Sequence, residues 1–328
     1  MPDVVLTRRQ TLFGDVESPY ATDANPQHTN SYQAVRLIEP FVLDLGQEIV
    51  DVTGGTLSRG FGRPVGTVRP AGVSFKAMLV GLESGSYTTT RKPPLGQFLR
   101  AAGLFETFVS SDASGRPVYR YDPPTDVGSD VSLTIVAHQD GFEHRFLGCR
   151  GNVNLVYGAA SPVVAEFTFR GILSTEAATT RTGNVSLNTQ TPPRWIGSGS
   201  VFIESLSARI EALNFNTNYD VLEERASVAV SGSGIVEVFI TNRQPGGSFD
   251  MEATLPGSYD AIGAWRSSSG GVLQLNVGNT QGNRFTLTCS QVVYRQVGWG
   301  DKQGLSIFNN DYQATERSGS DEVRLEFN

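Results

Sequence analysis

His138 and His144 are two of only three histidines in the chain, and they flank Asp140-Gly141, a strong hairpin signal that places them on two facing arms. A metal site needs two to four His, Cys, Asp or Glu ligands at workable spacing. With no cysteine or third histidine nearby, hydrogen-bonded or surface histidines are the favoured reading. Gly197-Ser198-Gly199-Ser200 approaches the nucleophile pattern Gly-x-Ser-x-Gly without matching it, and no helix follows, so a flexible linker reads better. Gly60-Phe61-Gly62 has the glycine spacing of a phosphate loop but lacks its strand–loop–helix setting. Asp321 and Glu322 are adjacent, so on a strand they face opposite sides and form no glycosidic acid–base pair. Asn184-Val185-Ser186 is a glycosylation sequon in letters only. No catalytic residue, cofactor cradle or metal set emerges, and the chain reads as a non-enzyme.

The composition points the same way. Among 328 residues, 39% are hydrophobic, enough for a globular core, and 36 Gly with 16 Pro favour turns and strands over helices. The length exceeds one ordinary core, so two domains are expected. Charged residues are only 18%, which suits a surface partly covered by partners. A net charge of -7 argues against a protein that grips nucleic acid, which needs clustered Lys and Arg. Cys149 and Cys289 are the only cysteines, and each lies in an apolar strand context, so buried free thiols are favoured over a single bridge. The first residues lack the pattern of a signal peptide, and no apolar run approaches a membrane span. A soluble protein made in a cytoplasm is expected.

Taken in order, residues 1–34 read as an N-terminal arm that buries little, with Pro19, Asn25 and Pro26 and little periodicity. Residues 35–173 read as a first β-sandwich domain, 174–194 as a Thr-, Ser- and Asn-rich linker, and 195–328 as a second domain. Val131, Leu133 and Ile135 alternate with Ser132 and Thr134, predicting a half-buried strand. The segment Arg59-Gly60-Phe61-Gly62-Arg63-Pro64 through Arg69 reads as a long exposed hairpin or loop. The final strand alternates from Glu322 to Phe327.

One helix is fully written. Pro93-Pro94 can occupy a first turn, where a missing N–H costs nothing. Leu95, Phe98, Leu99 and Ala102 share one face, and Gly103 supplies a left-handed end. So short a helix must be held by whatever its apolar face covers. The two halves also echo one another. Gly72-Val73-Ser74-Phe75 resembles Gly246-Gly247-Ser248-Phe249, and Arg145-Phe146-Leu147-Gly148-Cys149 resembles Arg284-Phe285-Thr286-Leu287-Thr288-Cys289. The second half offers Ser258–Ser267, with Tyr259, Ile262 and Trp265, as a substitute for the helix.

These blocks bring the chain close to a known family. Tyr20-Ala21-Thr22-Asp23-Ala24-Asn25-Pro26, the Pro93–Gly103 helix, Asp140-Gly141 with Gly148-Cys149-Arg150-Gly151, and Phe167-Thr168-Phe169-Arg170-Gly171 resemble the major tail tube proteins of long-tailed bacteriophages. Asn242-Arg243 with Gly247-Ser248-Phe249, Gly282-Asn283-Arg284 and Ser320-Asp321-Glu322 are similar in the second half, as in a two-copy version of that fold. The resemblance implies a mainly β protein of two related antiparallel β-sandwich or half-barrel domains with a short flanking α-helix. It implies a homotrimer with pseudo-six-fold symmetry, stacked into a tube whose inner β-barrel passes DNA without sequence-specific binding. Tail terminator, tail-tip and tape-measure proteins would be further partners, with the tail assembled in the host cytoplasm and carried in the virion. Arg59, Phe61, Arg63, Arg69, Leu95, Phe98 and Leu99 would serve assembly. A β-sandwich carbohydrate-binding or virion decoration protein is the alternative, with Trp195, Trp265 and Trp299 as stacking residues. A glycan-degrading enzyme is the least favoured.

Overall fold

The computed structural model describes residues 9–30, 32–50, 65–68, 70–159, 161–178, 185–194, 199–204, 206–226 and 235–328. The Val-, Thr- and Phe-rich runs between glycines and prolines form strands, and the protein is mainly β, with one large antiparallel sheet and two short helices. The first half contains β1 (Gln10–Val16), β2 (Ala34–Val35), β3 (Val42–Asp44), β4 (Gln47–Val50), β5 (Val65–Val68) and β6 (Ala71–Met78). Helix α1 (Gly96–Ala101) follows, then β7 (Phe105–Val109), β8 (Val118–Asp122), β9 (Leu133–Gln139), β10 (Phe142–Gly158) and β11 (Val164–Ala178). The second half contains β12 (Ser200–Ile203), β13 (Leu206–Ser207), β14 (Ala212–Asn216), β15 (Tyr219–Ala226), β16 (Ile235–Arg243) and β17 (Gly246–Glu252). Helix α2 (Ala261–Ser267), β18 (Gly271–Val277), β19 (Phe285–Lys302), β20 (Leu305–Ala314) and β21 (Arg324–Phe327) complete it.

The order of strand pairing repeats. In the first half, β2–β1–β9–β10–β11–β6–β3 are neighbours in that sequence. In the second, β13–β12–β18–β19–β20–β17–β14 follow the same order. Each half also inserts a separate two-stranded hairpin at the same place, β4–β5 after β3 and β15–β16 after β14. Each places its helix between the equivalents β6 and β9, or β17 and β18. Among the strands of the described residues, only β7, β8 and β21 lack a counterpart, and they join the halves, with β8 pairing to β21 and β21 to β19. Followed from strand to strand, the pairing branches but never returns on itself, so the sheet is open. The buried apolar residues of both halves form one contiguous core.

Helix α1 is shorter than its sequence pattern. It starts at Gly96, because Pro93 and Pro94 sit ahead of the hydrogen-bonded turn and Leu95 offers no side-chain cap. Gly103 ends it at φ +80, a conformation that glycine adopts without strain. Leu95, Phe98, Leu99, Ala101 and Ala102 are all buried. The Phe98 ring lies 5.4 Å from Phe75, 6.0 Å from Phe167 and 6.2 Å from Phe169, so the helix covers its own sheet. Gly14 makes that approach possible, since a Cβ there would stand 2.8 Å from the Phe98 ring. Helix α2 is better capped than its sequence suggests. Asp260 accepts a hydrogen bond from the Gly263 amide, and Ser268 closes the helix in a left-handed conformation.

Two sequence expectations give way. The segment before residue 35 buries more than expected: β1 pairs along its whole length with β9, and Leu12 and Phe13 are core residues. Period-two alternation is hidden there because both faces of β1 are covered. For the same reason β9 is buried on both faces from Leu133 to Ala137, including Thr134, rather than half-buried. Phe98→Ala should cost about 3–5 kcal/mol of stability, read as a lower urea midpoint. The chain's own core, rather than a partner's, bears that loss.

Candidate assembly interface

The residues that join the halves are polar groups set into apolar strands. Arg150 lies on β10 between Cys149 and Gly151, and its side chain is almost wholly withdrawn from solvent. Its Nη1 donates to Glu237 Oε1 at 2.8 Å and to the Val238 carbonyl at 2.8 Å, while Nη2 donates to the Asp130 carbonyl at 3.2 Å. The guanidinium stands 5.1 Å from the centre of the Tyr20 ring. The Tyr20 hydroxyl accepts from the Val238 amide at 2.8 Å, and burial pushes its pKa up to about 12. Asn152 adds a matched set: Oδ1 accepts from the Tyr219 amide at 2.7 Å and Nδ2 donates to the Tyr219 carbonyl at 3.0 Å. Gly103 permits the same approach, because a Cβ there would lie 2.4 Å from the Tyr219 ring. Together these contacts seat the β15–β16 hairpin of the second half on the sheet of the first.

Beneath them, Glu17 is buried and accepts four hydrogen bonds. These come from Ser132 Oγ at 2.6 Å, Thr134 Oγ1 at 3.0 Å, the Gly148 amide at 2.9 Å and the Ala21 amide at 2.8 Å. A carboxylate so saturated is a clamp for the chain before β2 rather than a base for a substrate. Burial first, then the Glu17 charge, pushes the Cys149 thiol well above its ordinary pKa, so it presents no thiolate nucleophile. Cys289 is likewise buried, pushed up to about 12, and neither cysteine is in a disulfide.

The second joint is the ladder itself. The last part of β10 pairs with β14 as Asn154↔Asn216, Leu155↔Phe215, Val156↔Asn214, Tyr157↔Leu213 and Gly158↔Ala212. Leu155, Tyr157, Leu213 and Phe215 bury their side chains there. The equivalent edges at the outer ends of the sheet have no strand partner among the described residues. Beyond Val292, β19 pairs on one side only, with β20, and β3 pairs on one side only, with β6. Trp299 on β19 is 66% exposed although its ring centre lies 4.6 Å from that of buried Phe308, and Val42 on β3 is 68% exposed.

Of the residues expected to serve assembly, Leu95, Phe98 and Leu99 sit in the core under α1, where they act through the fold. Arg59, Phe61, Arg63 and Arg69 lie outside the described residues, as does Trp195. Trp265 is partly exposed, with its indole N–H donating to the Arg295 carbonyl at 3.1 Å. His138 faces Glu143 across the hairpin at 3.6 Å, and no group of three metal-type ligands occurs among the described residues. Asp321 accepts from the Arg317 and Ser318 amides, whereas Glu322 pairs with Arg243 at 3.5 Å. A cleft of about 360 Å3 beside β17 and β20 is lined by the charges of Arg209, Glu211, Asp250, Glu252 and Lys302. Arg209 pairs with Glu252 and Lys302 with Glu211, while Asp250 accepts from the Glu211 and Ala212 amides.

Sequence reasoning missed Glu17 and Glu237 as structural anchors. The available signal was a charge inside an apolar strand, as in Val236-Glu237-Val238. No protein-family model matches the chain, and no curated protein matches it. Arg150→Ala should cost about 3 kcal/mol, since it removes a withdrawn guanidinium that bonds Glu237 and the Val238 and Asp130 carbonyls. Hydrogen exchange should accelerate across Ile235–Arg243 while the β6 and β11 amides keep their protection.

Proposed function

We propose that the chain is the self-assembling subunit of a bacteriophage tail tube, and that it is not an enzyme. Three copies, each with two related half-units, close a ring with pseudo-six-fold symmetry. Stacked rings form a channel for DNA in the virion, capped and measured by terminator, tail-tip and tape-measure proteins. The observation that carries this reading is the repeated pairing order, which joins the halves through β10 and β14 and leaves the equivalent edges of β19 and β3, at opposite ends, with no strand partner among the described residues. Two different surfaces that fit each other make a head-to-tail contact, and such contacts build rings or filaments rather than isolated dimers. Ring closure would also remove exposed edges that otherwise invite aggregation.

The charge balance supports the same reading. A net charge of -7 suits a channel wall that lets phosphate pass without holding it. Exposed Trp265 and Trp299 keep carbohydrate binding as the competing reading.

Negative-stain microscopy of the concentrated protein should show rings or tubes of uniform diameter. A monomer that persists under all conditions and binds glycans would overturn the proposal in favour of the competitor. The segment between β4 and β5 carries Arg59, Phe61 and Arg63, which are proposed to reach a neighbouring subunit or ring. Its shortening, together with Arg69, should stop tube growth while the circular dichroism spectrum stays that of a folded β protein.

A further inference from the structure

The repeat assigns more than the existence of an edge contact, because the pairing inside the chain serves as its template. Phe75 on β6 stands opposite Phe167 on β11, and Phe167 stands opposite Val153 on β10. Phe249, the equivalent of Phe75 in the Gly-x-Ser-Phe echo, stands opposite Asn310, and Asn310 stands opposite Val297. By strand pairing Val153 and Val297 are therefore equivalent, four residues further along β19 than the Cys149–Cys289 echo alone would place them, and two residues along so are Leu155 and Trp299. On the other flank, Leu43 is opposite Val73, and Phe215 is opposite Gly247, the equivalent of Val73. Leu43 and Phe215 are therefore equivalent. Within the chain Leu155 pairs with Phe215.

Building on the ring proposed above, we infer that β19 of one copy pairs antiparallel with β3 of a second copy in the register Gly298↔Asp44, Trp299↔Leu43 and Gly300↔Val42. The exposures follow the equivalence. Leu155 is 1% exposed with its neighbour strand in place, whereas Trp299, with no strand on that edge among the described residues, is 66% exposed. Phe215 is buried and Leu43 only half-buried. The chemistry is conserved across the exchange: one aromatic and one aliphatic side chain meet in either case, with the aromatic moved to the other strand. Aromatic–aliphatic cross-strand pairs of this kind stabilise a ladder and set its register. Glycines on both sides of Trp299 leave the backbone of β19 open to a second strand. A buried tryptophan at the centre of a new interface is also the residue type that most often dominates binding.

Cysteine pairing reads the register directly. Facing residues of an antiparallel pair have Cα atoms about 4.5–5.5 Å apart, within disulfide reach, whereas a diagonal neighbour at about 7–8 Å is beyond it. Gly298 has room for a side chain, its nearest neighbouring atom being 3.6 Å from the Cβ position. The double variant Asp44→Cys/Gly298→Cys, oxidised after assembly at high concentration, should run on a non-reducing gel as covalent oligomers larger than a dimer. The two single variants, mixed, should stop at a dimer. Val42→Cys/Gly298→Cys, two residues out of register on the same face, should crosslink at least tenfold less. Trp299→Ala should weaken assembly at least tenfold while lowering the urea midpoint of the monomer only slightly, through the lost contact with Phe308.

Preferential crosslinking of the out-of-register pair would overturn the register. Rings or tubes that crosslink in neither pair and survive Trp299→Ala would overturn the edge pairing while the tube proposal stands. A wild-type chain that forms no assembly overturns both.

Discussion

The constraint on which this protein depends is that every strand edge carries backbone N–H and C=O groups that need partners. β10 meets that demand with more length than a single neighbour covers. On one edge it pairs with β11, and on the other it is shared between β9 and β14. That division makes one sheet of two repeats. The same long strand carries Arg150 and Asn152, whose side chains hold the β15–β16 hairpin across the joint. β19 repeats the geometry with β18 on the corresponding edge, and its remaining length extends past that partner.

Packing beneath the sheet is unequal in the two repeats. Helix α1 presses Phe98 into the aromatic cluster of Phe75, Phe167 and Phe169. Helix α2 buries only Ala261 and leaves Trp265 partly exposed. The difference follows from composition: α1 carries Leu95, Phe98 and Leu99 on one face, while α2 has Asp260, Arg266 and serines around a single apolar stripe. The first repeat is thus the more self-contained. Both repeats keep exposed apolar residues, among them Val42 and Ile49 in the first and Leu255 and Trp299 in the second. The Glu17 carboxylate is saturated within the first half, whereas the Arg150–Glu237 pair spans the two.

Much of the local structure was legible in the chain. Strand-forming runs, the Asp140-Gly141 turn, Gly103 at the helix end and the buried thiols were all marked by residue type, because φ preference and polarity are local properties. The echo of Gly72–Phe75 in Gly246–Phe249 marked equivalent strands, β6 and β17. The Pro93–Gly103 pattern located the helix and its buried face, although the prolines held the first turn outside the hydrogen-bonded segment. The burial of β1 was not legible, since a strand covered on both faces loses the alternation that identifies it.

What the sequence determined by itself was therefore the β class, the place of each turn, the apolar face of α1 and the presence of two echoing halves. Which strand lies beside which was decided only in the tertiary structure. Alternation tells a side chain which face to take, but the hydrogen-bonding edge of a strand is the same whatever residues it carries. Partner choice for β10, the withdrawal of Arg150 from water and the exposure of Trp299 all follow from that choice, made across the whole chain at once.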